Sequence, residues 1–153
     1  FGRFPHLLAG AAEDLYWQIF FDNMQLRPGC LPFLQSVGLP IAIVTDLTAR
    51  VQFDKIAHLK IATYLKAIVT SEESGHEKPH PRIFELAAQK LNLPLNALCM
   101  IGDSFERDIE GARKLGLDCY WLNAEAGNIQ PNAGMGSVTI FDDFLQLLEL
   151  VKK

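Results

Sequence analysis

The stretch "IGDSFERDIEGARKLG", residues 101–116, decides the fold. The apolar run "ALCMIG" (97–102) leads into it and ends at Asp103. Apolar spacing resumes over Ile109–Leu115 and stops at Gly116, which predicts a buried strand, a tight turn and a helix. Asp103 at the strand tip and Asp108 one turn into the helix could face one cavity. Mg²⁺ takes oxygen ligands, commonly one or two carboxylates with waters and substrate phosphate, so the pair suits a divalent metal. A plainer reading is also open: Asp103 caps the helix, and Asp108 is a solvated first-turn acid favoured by the helix dipole.

Outward from this unit the same alternation repeats. "PIAIVT" (40–45) and "YLKAIVTS" (64–71) read as strands, and helices are predicted over 48–59 and from Pro81 through Leu91. "DCYWL" (118–122) and "SVTIF" (137–141) add a fourth and a fifth strand, and Phe144–Val151 a closing helix. Ahead of them lie helical spacing over His6–Phe21, a break at Pro28-Gly29 and a short helix through Leu31–Val37. "NAEAGNIQPNAGMG" (123–136) reads as the long loop. Strands alternating with helices predict an α/β fold, a parallel sheet covered on both faces.

Composition narrows the function classes. With 49% hydrophobic and 21% charged residues over 153 positions, one ordinary domain with a real core is expected. The net charge of −4 is scattered, and no Lys/Arg cluster marks a nucleic-acid surface. The longest apolar runs fall far short of the roughly 18–20 residues of a membrane span. Cys30, Cys99 and Cys119 form no Cys-x-x-Cys pair, which fits free thiols packed as small hydrophobes in a reducing, cytoplasmic setting. Phe1 opens the sequence without a methionine and without the pattern of a signal peptide.

Open parallel sheets bind ligands beyond the carboxyl ends of their strands. Thr45, the stretch Ser71–Glu73 and Asp103 all fall at such ends. Thr45 offers a hydroxyl to phosphate oxygens, or merely starts an ST-turn. Lys78 stands beside Pro79 in "SGHEKPHPRIF", where stiff backbone could project a fixed ammonium toward an anion; a solvated loop lysine is the alternative. His76 and His80 read as loop residues, since no second His or Cys pair supports a zinc site. Thr45, Lys78 and the Asp103/Asp108 pair fall in order at successive strand ends, an arrangement that independent surface residues rarely reach.

The ordered set "IAIVTD", "EKPHPRIF" and "IGDSFERD" resembles the haloacid dehalogenase-like hydrolase superfamily, especially its phosphatase branch, over about Leu26 to Val151. The resemblance implies a Rossmannoid three-layer α/β/α fold and an aspartyl-phosphate mechanism with Mg²⁺ as cofactor and a small phosphorylated substrate. It implies that Thr45 bonds the phosphoryl group, that Lys78 steadies nucleophile and phosphate, that Asp103 is the principal metal ligand, and that Asp108 is its second acid. "LRPGCLPFL" (26–34) looks like the return from a helical cap, so residues 1–25 would be a cap remnant and 26–153 the core. Tyr16, Trp17 and Phe20 of that remnant could line a pocket, but packing of the helix is the expected role.

The family also opens with a strand ending in Asp-x-Asp, which supplies nucleophile and general acid/base; this sequence contains no Asp-x-Asp. The nearest stretch, "IFFDNMQL" (19–26), has Met24 where the second acid belongs. In the family the missing strand lies between those ending at Thr45 and Asp103. Without it the two either pair with each other or leave a gap of unpaired backbone groups, at about 1–3 kcal/mol each when buried. The expectation is that the nucleophile lies upstream of Phe1 and that the natural product exceeds 17.1 kDa. Asp46, where many relatives carry Asn, either turns from the substrate or signals something other than a plain phosphomonoester. Two other readings stand beside a phosphatase: an inactive binding module that lost its nucleophile, and a metal-independent 2-haloacid dehalogenase.

Overall fold

The computed structural model describes residues 5–46, 48–123 and 136–151. In chain order these form α1 (Pro5–Asn23), α2 (Cys30–Ser36), β1 (Ala42–Thr45), α3 (Ala49–His58), β2 (Ala67–Thr70), α4 (Ser71–Ser74), α5 (Pro81–Leu91), β3 (Cys99–Gly102), a π-helical turn (Phe105–Ile109), α6 (Glu110–Lys114), β4 (Asp118–Leu122), β5 (Val138–Phe141) and α7 (Phe144–Val151). The interior of the predicted 123–136 loop, 124–135, lies outside the described residues.

All ladders are parallel, but they form two sheets. β1 pairs with β2, and β3–β4–β5 form a second sheet with β4 in the middle. Of the two alternatives for the strands ending at Thr45 and Asp103, the chain adopts the gap: among the described residues β1 and β3 do not pair. The strand expected over 64–71 is shorter, because Ala62–Tyr64 closes a 3₁₀ turn and Thr70 already caps α4, its Oγ1 accepting from Glu73 N–H at 3.2 Å.

One buried cluster bridges the two sheets. Ile83, Phe84 and Ala87 of α5 meet Val69 of β2, and Ile109, Ala112, Leu117 and Cys119 continue it under the second sheet. Ala42 and Val44 of β1 and Met100 of β3 pack against the same cluster. On the opposite face of the second sheet, Phe33 of α2 and Leu147 of α7 enclose Phe141. Helices therefore cover both faces of β3–β5, as the apolar strands require.

The cysteines are free, and Cys119 is buried as expected, its thiol pushed up to about 12 by burial. Cys99 corrects the expectation: it is exposed at the entry to β3, an edge strand of the second sheet. The expected packing of the α1 aromatics is corrected too. No described α1 side chain joins either core cluster; Tyr16 stacks on Phe20 and both meet Trp17 edge-on, Tyr16 staying 58% exposed, with Lys55 of α3 over the Phe20 ring at 4.9 Å. His58, also of α3, lies 5.4 Å from the Phe21 ring.

At the far end of the sheet, Asp118 Oδ1 accepts from Ser137 N–H at 3.0 Å and Ser137 Oγ at 2.7 Å, which holds its carboxyl below the usual carboxylate range. These bonds favour the ionised form, so their stabilisation is full above the unfolded-state pKa and fades as pH falls through the folded one. Asp118→Asn should lower stability at pH 7, and the difference from wild type should shrink as denaturation curves are taken down through the lowered folded-state pKa of Asp118. A difference that persists unchanged below that pKa would show that the pair acts through packing instead.

Candidate active site

The three predicted pieces meet at the C-terminal ends of β1 and β3. Lys78 is the hub. Its backbone N–H donates to Asp46 Oδ1 at 2.9 Å, and its ammonium donates to Val44 O at 3.0 Å and Asp108 Oδ1 at 2.8 Å. The Lys78 side chain is only 12% exposed, which removes the solvated-loop reading. Two acceptors account for two of the three ammonium protons, leaving one donor for an anion. The Lys78–Pro79 peptide is cis.

Asp108 is equally far from a solvated acid, at 7% side-chain exposure. One carboxylate oxygen takes the Lys78 ammonium and the other accepts Ser104 N–H at 3.1 Å. Ser104, not Asp103, is the cap, its Oγ accepting from Arg107 N–H at 3.4 Å. The π-helical turn brings Asp108 back under the strand tip. A Cβ on Gly102 would stand 2.5 Å from Asp108 Cβ and Oδ2, so this position admits only glycine. Gly111 does the same for the lysine loop, a Cβ there standing 2.7 Å from Pro79 Cβ.

Asp103 differs from its partner acid: its side chain is 67% exposed, with Arg27 at 3.8 Å, while its backbone oxygen accepts from Trp121 Nε1 at 3.1 Å. Thr45 ends β1 beside Thr70, and its hydroxyl makes no hydrogen bond among the described residues. Asp46 is 15% exposed, and its second oxygen faces Arg107 at 3.9 Å. An open hollow beside it is lined by Thr48, Ser71, Glu72 and His76. His76 and His80 stack with ring centroids 3.7 Å apart, and His80 Nδ1 caps α5 by accepting Arg82 N–H.

The donor set fits Mg²⁺ in a limited way. Among the described residues no three Asp, Glu, His or Cys side chains converge on one point. Mg²⁺ is content with one or two carboxylates plus waters and phosphate oxygens. Asp103 offers such a carboxylate at the strand tip; both oxygens of Asp108 are already engaged. Thr45, Asp46, Lys78, Asp103 and Asp108, singled out from the sequence, fall in this region, together with Ser104, Arg107, Gly102 and Gly111, which the sequence did not single out. A glycine inside the helical run "IEGARK" was the available signal, since it costs about 1 kcal/mol there unless close packing demands it.

A family model for haloacid dehalogenase-like hydrolases matches residues 14–122. The chain belongs to this family. Ribulose-1,5-bisphosphate 5-phosphatase of Halopiger xanaduensis is 38% identical over 71% of this chain and 46% of its own length. Glyceraldehyde 3-phosphate phosphatase of Methanothermobacter thermautotrophicus is 32% identical over 99% of this chain and 70% of its own length. The chain thus spans about half of the first relative and more of the second. YfnB of Bacillus subtilis, solved bound to magnesium, superposes with a TM-score of 0.78 at 21% identity, covering 94% of this chain and 63% of that one. The fold is therefore that of the haloacid dehalogenase-like hydrolases, a Rossmannoid α/β architecture. Among the described residues no helix is long and apolar enough to cross a membrane.

Proposed function

We propose that this chain is the phosphate- and metal-binding part of a Mg²⁺-dependent phosphatase acting on a small phosphorylated metabolite through an aspartyl-phosphate. The observation that carries the reading is the Lys78 ammonium, locked between Val44 O and Asp108 with one donor left over. The two relatives named for ribulose-1,5-bisphosphate and glyceraldehyde 3-phosphate support the substrate class.

In this reading Lys78 binds a phosphate oxygen and offsets charge on the transferring group, an electrostatic task that a preorganised cation performs without reorganising. The Thr45 hydroxyl donates to a second phosphate oxygen. Asp103 holds Mg²⁺, and Asp108 acts from behind by fixing Lys78 and the Ser104 turn. When bound, the metal supplies further charge neutralisation at the phosphate. The nucleophile belongs to a strand outside this sequence, which has no Asp-x-Asp; the unpaired edges of β1 and β3 support a place for that strand between them. Residues 1–25, with α1 apart from both core clusters, are read as part of the cap.

The test compares this chain with a form extended to its native start, each incubated with para-nitrophenyl phosphate and Mg²⁺. Turnover only in the extended form, abolished by EDTA, is the expected result. Silence from a folded extended form would favour the inactive module, and chelator-resistant turnover would sink the metal-dependent mechanism.

A further inference from the structure

Lys78 is held at both ends by β1 and the residue that follows it. Val44 takes its ammonium and Asp46, two residues on, takes its backbone N–H. A backbone carbonyl inside β1 and a side chain just past its end thus grip the two ends of one lysine. We infer that Asp46 is a positioning residue of the phosphate site: it fixes the Lys78 backbone so that the ammonium, and not the Asp46 carboxylate, meets the phosphate. The inference rests on the reading of Lys78 as a phosphate-binding cation.

The sequence alone leaves open whether Asp46 turns from the substrate or meets it, where its negative charge is hard to reconcile with a phosphate. Its contacts resolve the conflict. One oxygen is committed to Lys78 N–H, and the other faces the Arg107 guanidinium at 3.9 Å, so the charge is balanced from across the gap between the sheets. Only 15% of the Asp46 side chain is exposed. Lys78 has long rotamer freedom of its own, and an ammonium on an untethered backbone loses a fixed position. The bond therefore contributes to phosphate affinity through Lys78.

Asparagine retains an oxygen that can accept Lys78 N–H; alanine has none. Titrating the ¹⁵N-labelled chain with inorganic phosphate, followed by NMR, separates these roles. Lys78→Ala should abolish saturable binding. Asp46→Ala should weaken it about five-fold, the scale of one lost hydrogen bond, and speed exchange of the Lys78 amide. Asp46→Asn should bind within about two-fold of wild type and keep that amide protected. Asp46→Ser, too short to reach, should behave as alanine does and serves where the alanine variant is unfolded. Unchanged affinity in Asp46→Ala and Asp46→Ser, with saturable binding lost in Lys78→Ala, overturns the role of Asp46 alone. Loss in Asp46→Asn equal to that in Asp46→Ala overturns it in favour of a charge effect. Equal affinity in wild type and Lys78→Ala overturns the phosphate reading of Lys78 and this role with it.

Discussion

Asp108→Ala should lower the stability of the folded chain by about 3–5 kcal/mol, the cost of stranding a buried ion-pair partner. The Lys78 ammonium, 12% exposed, would keep only Val44 O as a partner, and Ser104 N–H would lose its acceptor. Urea denaturation followed by circular dichroism measures the effect. The cause can be separated from the size: Lys78→Met in the same chain removes the charge that Asp108 answers. The double variant Lys78→Met/Asp108→Leu should recover most of the loss, because an apolar pair of similar volume is often neutral or better in such a place. A single-variant loss under about 1 kcal/mol would mean that water reaches the pair freely. The recovered protein should have no phosphate affinity, which would show that the ion pair is kept for the site and not for stability.

Phe84→Ala is the second large effect, again about 3–5 kcal/mol for a fully buried aromatic. Phe84 is 2% exposed and lies in the one cluster that reaches β1, β2 and the second sheet together. Among the described residues no ladder joins the sheets, so α5, the Lys78–Asp108 pair and the Asp46–Arg107 pair help to carry the connection. Amide exchange should therefore quicken more in β1 and β2 than in β3, β4 and β5, where Phe33, Phe141 and Leu147 form an independent cluster. Equal acceleration in both sheets would show that they unfold as one unit.

Most of the fold was legible because its signals are local. Pro81 at the first turn and apolar residues on one face fix α5 from Pro81 to Leu91, and "DCYWL" is β4 without adjustment. Chain order also placed Thr45 and Asp103 at the carboxyl ends of parallel strands, where such sheets bind ligands, with Lys78 in the loop after α4. What stayed hidden depends on contacts across distance. Nothing in "EKP" says that Lys78 reaches back 34 residues to Val44. The choice between solvated and buried Asp108 turned on Gly102, whose missing Cβ leaves room for the carboxylate. Burial of the α1 aromatics was misjudged because periodicity states that a face is apolar, not what covers it.

The π-helical turn has a consequence for how this site can vary. In it, Ile109 N–H reaches Ser104 O and the N–H of Glu110 reaches Phe105 O, each five residues back. Such a turn holds one residue more than an α-helix would use over the same rise. Removing a residue between Ser104 and Asp108 would swing the acid by roughly 100° around the helix axis, away from Lys78. The spacing between the two aspartates is thus a fixed length: sequences sharing this site can exchange the side chains of the turn, but cannot gain or lose a position within it.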